Sequence, residues 1–177
     1  MKINILEKIK IPGGVEVSVI NHMVGVKGIK GEINKKLFDP RISIVKEDDN
    51  IIVKCSKASK YDLTKANTYI AHIKNMLKGV SNGYEARLKI CSGHFPMNVS
   101  VGDNKIIIKN FLGEKVPRVT NIMGRVNVKV EGDIIIVSGC DKDNVGQTSA
   151  NIENVTRITK KDRRVFMDGI FIIKKAE

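Results

Sequence analysis

The sequence predicts an α+β protein of two tandem duplicated domains, each a mainly antiparallel sheet with one helix packed on one face. Three observations predict it. Apolar and polar residues alternate in short runs separated by polar turns, the pattern of strands buried on one face. Two other segments repeat apolar residues at steps of three and four, the helical period. The two halves also align with each other. Leu63, Ala66, Ile70 and Ile73 fall on Val145, Thr148, Ile152 and Val155, 82 positions on. Val26 to Glu32 fall on Ile108 to Glu114 at the same offset, and Asn50 to Val53 on Asp133 to Ile136 at one residue more. The expected domains are residues 1–82 and 83–177, with the boundary near Ser81 to Gly83.

In chain order, Val15, Val17 and Val19 alternate with Glu16 and Ser18 and read as a strand. Gly25, Gly28 and Gly31 follow. A Walker-type phosphate loop needs Gly-Lys-Ser/Thr at its end, and Lys30 stands where its second glycine would be. An RNA-clamping Gly-x-x-Gly loop serves helices, whereas strand-like sequence flanks this one. What remains is a hairpin tip whose Lys27 and Lys30 can touch phosphate. Ile51 to Val53 form a strand after the turn Glu47-Asp48-Asp49-Asn50. Leu63, Ala66, Ile70, Ile73, Leu77 and Val80 then make an amphipathic helix, with Asp62 as its N-cap and Gly79 and Gly83 near its end.

The second half repeats this order. Ile106 to Ile108 follow Gly102-Asp103-Asn104; Val126, Val128 and Val130 alternate with Asn127 and Lys129; Ile134 to Val137 follow Glu131-Gly132-Asp133. These turns supply the positive φ angles that hairpins require. A second helix is expected behind Asn144 through Val145, Thr148, Ile152, Val155 and Ile158.

A hydrophobic fraction of 42% is too high for a disordered basic tail, so the chain folds. Its net charge of +12 is shared by both halves and favours a polyanionic partner, nucleic acid first. A membrane partner is disfavoured because no run approaches the roughly 20 apolar residues that span a bilayer. Met1 to Lys10 lacks the apolar stretch of a secretory signal, which places the expected protein inside the cell.

Cys55, Cys91 and Cys140 are too scattered for a disulfide framework. Cys91-Ser92-Gly93-His94 offers one ligand pair, but a structural zinc needs two, so no metal is expected. His22, His72 and His94 stand far apart, and no carboxylate pair on a predicted site-forming loop accompanies them. An enzyme is not expected, nor is a small-molecule substrate.

The strongest electrostatic candidate is the C-terminal stretch, with Arg157, Lys160, Lys161, Arg163, Arg164, Lys174 and Lys175 against Asp162 and Asp168. Phe166, Ile170 and Phe171 would anchor it to the core. Most cations are Lys, which suits phosphate neutralisation over bidentate base recognition. Phosphate contacts should therefore dominate. Stacking should be minor, because the few Phe and Tyr fall mostly in apolar registers.

His94-Phe95-Pro96-Met97-Asn98-Val99, Asn110 to Lys115 and Arg164 to Phe171 resemble signature segments of the ribosomal protein L-six family in its archaeal and eukaryotic branch, called L-nine in eukaryotes. Asn75 to Val80, followed by Gly83-Tyr84, resembles the end of that family's first helix. The resemblance covers nearly the whole chain. It implies duplicated α+β domains in the large ribosomal subunit in the cytoplasm, bound to large-subunit ribosomal RNA near the factor-binding region and the sarcin–ricin loop. Neighbouring ribosomal proteins are the other implied partners, with no cofactor and no enzymatic activity. It assigns RNA contact to Lys115, Arg118, Lys160, Lys161, Arg163 and Arg164. The acidic Asp48-Asp49 turn departs from the more basic hairpin of eukaryotic members. The competing class is a free RNA-binding module or nuclease of the same basic duplicated fold.

Overall fold

The computed structural model describes all residues except 1, 2, 160 and 163. The chain forms two compact units, Met1–Gly83 and Tyr84–Glu177. The first contains β1 (Ile3–Lys10), β2 (Glu16–Ile20), β3 (Met23–Gly28), β4 (Gly31–Lys36), β5 (Ser43–Glu47), β6 (Asn50–Ala58) and α1 (Lys60–Ser81). Its strands make two antiparallel sheets of three, ordered β1-β6-β5 and β2-β3-β4. Helix α1 packs against both sheets.

The second unit repeats the plan with β7 (Tyr84–Cys91), β8 (Asn98–Gly102), β9 (Lys105–Lys109), β10 (Arg118–Asn121), β11 (Val126–Glu131), β12 (Ile134–Gly139) and α2 (Lys142–Val155). Its sheets are β8-β9-β10 and β11-β12-β7, matching those of the first unit strand for strand. A thirteenth strand, β13 (Gly169–Lys174), has no counterpart in the first unit and adds antiparallel to the outer edge of β7. The fold class is thus α+β and duplicated, as the sequence predicts.

Both helices begin earlier than their sequence suggests. The N-cap of α1 is Ser59, not Asp62: the Ser59 hydroxyl accepts from the Asp62 N–H at 3.3 Å, and the Asp62 carboxylate accepts from the Ser59 N–H at 3.0 Å. This reciprocal capping box satisfies two N–H groups that the first turn would otherwise leave bare. Those bonds hold the Asp62 carboxyl below the ordinary carboxylate range. The N-cap of α2 is Asp141, which accepts from the Asp143 N–H at 3.0 Å; Asn144 lies inside the helix. Ile158 lies beyond the end of α2 yet is buried.

The buried stripe of α1 is Ala66, Ile70, Ile73, Met76, Leu77 and Val80, against Val24, Val26, Ile51 and Val53 in the strands. Leu63, expected in that stripe, sits at its margin and is exposed. In the second unit Ala86, Leu88, Ile106, Ile108, Phe111, Ile135, Val137, Val145, Ile152 and Ile170 form one continuous core. Burying side chains of this kind contributes about 1.5–3 kcal/mol each before chain entropy is subtracted. Among the described residues no helix is long and apolar enough to cross a membrane.

Candidate nucleic-acid interface

The glycine-rich segment is a hairpin tip, with Gly28 paired to Gly31 across Ile29 and Lys30. It is docked on the end of α1. The Lys30 N–H donates to the Val80 carbonyl at 3.0 Å, and a Cβ on Gly28 would lie 2.8 Å from the same oxygen. Only glycine permits that approach. The Lys27 and Lys30 side chains project from this fixed tip and are exposed. The two histidines of this unit have local tasks. His22 closes the β2–β3 turn at φ 64° and meets Phe38 edge-on at 4.9 Å, while His72 receives a hydrogen bond from Lys35 Nζ at 3.1 Å.

In the second unit Lys115 is exposed in the turn before β10. Arg118, expected on phosphate, is instead occupied within the protein. Its Nε and one terminal nitrogen grip the two Glu114 oxygens at 2.8 and 2.6 Å. The other terminal nitrogen donates to the Val155 carbonyl at 2.7 Å, and the guanidinium lies 4.2 Å from the centroid of the Phe111 ring. Arg118 therefore satisfies a carbonyl in the last turn of α2 and ties β10 to it. The Arg118 bonds hold the Glu114 carboxyl below its ordinary range.

Beyond α2, Lys161 Nζ stands 4.6 Å from the centroid of the Phe166 ring, and Arg164 pairs with Asp162 at 2.9 Å while remaining 90% exposed. So exposed a pair is weak, and its guanidinium stays available to a phosphate. Lys160 and Arg163 lie outside the described residues. Lys174 ends β13 and Lys175 follows it, both exposed, on a strand whose far end is tied by mutual backbone bonds between Glu85 and Glu177 at 3.4 Å.

The sequence did not reveal what fixes this cationic segment. Asp168 is 98% buried at its side chain and accepts three hydrogen bonds: from Gly93 N–H at 2.7 Å, His94 N–H at 3.0 Å and His94 Nδ1 at 2.6 Å. Burial pushes the Asp168 carboxyl up, but those bonds outweigh it and leave it below the ordinary value. The His94 ring stacks on Phe166 at 4.9 Å. His94 is thus a clasp between the 91–94 loop and the C-terminal segment. Among the described residues no three His, Cys, Asp or Glu gather as metal ligands, and all three cysteines are free thiols.

The aromatic rings depart from expectation. Phe111 is buried, but Phe38 is 58% exposed and Phe95 and Phe171 are each 47% exposed. Of the three expected anchors only Ile170 is fully buried; Phe166 is half-buried and Phe171 faces outward. Phe171 borders a groove of about 940 Å³ between the end of α2 and residues 165–168, with the 91–94 loop as its third side.

Two tandem copies of a sheet-and-helix unit, with exposed lysines and arginines held on fixed turns and a clasped C-terminal segment, define a class of basic duplicated scaffold without a gathered catalytic constellation among the described residues. Comparison with known proteins gives the class its family. The family model of ribosomal protein L6 matches residues 11–83 and again residues 95–169, one match per repeat. The large ribosomal subunit protein uL6 of Methanothrix thermoacetophila is 44% identical over 171 residues, covering 97% of both chains. That of Methanococcus vannielii is 45% identical over 172 residues, covering 97% of this chain and 94% of its own, and that of Methanobrevibacter smithii is 43% identical. The chain belongs to the ribosomal protein L6 family, a family of ribosomal proteins rather than enzymes.

Proposed function

We propose that this protein is a structural constituent of the large ribosomal subunit in the cytoplasm, where it binds large-subunit ribosomal RNA beside the factor-binding region and the sarcin–ricin loop, among neighbouring ribosomal proteins. The observation that carries the reading is membership of the L6 family over almost the full chain. The charge distribution supports it. Lys161, Arg164, Lys174 and Lys175 are exposed on one clasped segment, with Lys115 in the second unit and Lys27 and Lys30 on the first unit's hairpin tip. Lys160 and Arg163 extend the same run in sequence. Such residues position a protein on folded RNA by displacing condensed counterions. The internal bonds of Arg118 to Glu114 and to the Val155 carbonyl favour a structural role for it over phosphate contact.

The test is sedimentation of the tagged chain with ribosomal particles. Stoichiometric recovery with large subunits, and none with small subunits, is expected. A chain that stays at the top of the gradient contradicts the reading.

A further inference from the structure

The groove of the second unit combines features that phosphate tracking does not need. Val165 and Met167 are 60% and 67% exposed beside the half-exposed Phe171, so an apolar floor lies inside the most cationic stretch of the chain. Exposed apolar surface rimmed by polar groups marks an interaction site. Phe171 is also held in place. The N–H groups on either side of it bond to the end of α2, Ile170 to Thr156 Oγ1 at 3.0 Å and Ile172 to Glu153 Oε1 at 3.1 Å. Its ring closes over Gly169, where a Cβ would come within 3.0 Å of Cζ. A larger residue at 169 would displace the ring.

The walls supply the other parts of a nucleotide site. Arg157 lines the groove, and Lys161 stands over Phe166, another lining residue. The exposed side chains of Asn154 and Ser92 offer an amide and a hydroxyl in the same walls. An amide presents donor and acceptor side by side, as the edge of a base does. The volume is of the size that holds a small ligand.

We propose that this groove receives an unstacked base of the bound RNA, which stacks on Phe171 while its flanking phosphates meet Arg157 and Lys161. The inference rests on the ribosomal-RNA reading above and sharpens it: one contact is made through a base face, against the expectation that stacking is minor. An apolar peptide would fill the floor but offer no anion to the two cations. RNA satisfies both.

The test measures affinity of the full chain for a transcript of archaeal large-subunit ribosomal RNA, at salt concentrations between about 50 and 200 mM. Phe171→Ala should weaken binding about 5- to 150-fold, the loss that removing one base–aromatic stack produces. The slope of affinity against salt should not change, because no phosphate contact is lost. Phe171→Tyr should bind as the natural protein does, and Phe171→Leu, which keeps an apolar side chain in the strand, should show a loss in the same direction. Lys161→Ala should lower the salt slope by about one. Unchanged binding by both Phe171→Ala and Phe171→Leu overturns the inference. So does a pair of variants that bind RNA normally yet fail to join particles, which would assign the groove to a neighbouring protein. Failure of the natural chain to bind the transcript at all would instead sink the parent reading.

Discussion

Replacing Asp168 separates the clasp from the charge it carries. In Asp168→Asn the remaining Oδ can still accept from the Gly93 and His94 N–H groups, now at 2.7 and 3.0 Å from Asp168 Oδ1, while the charge-assisted bond to His94 Nδ1 at 2.6 Å is lost. In Asp168→Ala all three donors lose their acceptor. An orphaned buried N–H costs about 1–3 kcal/mol; because Gly93 and His94 are exposed and water can reach them, the lower figure applies to each. The expected costs are about 1 kcal/mol for Asn and about 3 kcal/mol for Ala. Hydrogen exchange of buried strand amides in the second unit, such as Leu88 and Ile135, reads the opening free energy of that unit by itself. The acid dependence follows from the lowered carboxyl. Its contribution is complete above the unfolded value near 3.9 and is lost as pH falls through the lower folded value, so the natural protein and Asp168→Asn should converge only below about pH 4. An Ala variant within about 0.5 kcal/mol of the natural protein, or an Asn variant as costly as Ala, would refute the clasp.

Three further outcomes are expected. Gly28→Ala places a Cβ 2.8 Å from the Val80 carbonyl and should cost the first unit about 1–3 kcal/mol in urea unfolding, through a forced shift of the hairpin tip. Arg118→Lys cannot grip Glu114 with two nitrogens while donating to Val155, so it should destabilise the second unit by about 2 kcal/mol; Lys115→Ala should leave stability unchanged. Reversing charge at Arg163 and Arg164 should leave the circular dichroism spectrum intact and impair incorporation into subunits; the Arg164 side chain is 90% exposed, and so exposed a charge contributes little to folding.

The duplication was legible because it rests on spacing. The apolar stripes of α1 and α2 and the turns at Asp103-Asn104 and Gly132 need only local sequence, and the structure places them in register. Most of what escaped depended on distant partners; the start of α1 is the local exception, its capping pair standing three residues apart. Ser59 caps α1 because Asp62 also returns a bond to it, so Asp62 alone looked like the start. Strand β13 looked like a charged tail; its pairing with β7 joins residues some eighty positions apart. Arg118 and Arg164 are alike in sequence, yet one lies against Phe111 and the end of α2 while the other faces solvent. Composition cannot make that distinction. The clasp between His94 and Asp168 spans 74 residues, and nothing local to either residue marks the other as its partner. Phe171 read as an anchor because it lies between apolar neighbours; the alternation of β13 turns it outward.

Salt dependence of binding to large-subunit ribosomal RNA tests most directly whether fixed cations on a duplicated scaffold grip this polyanion. With about six phosphates engaged, affinity should fall roughly a thousandfold between 50 and 200 mM salt. Affinity that stays level across that range would contradict the account.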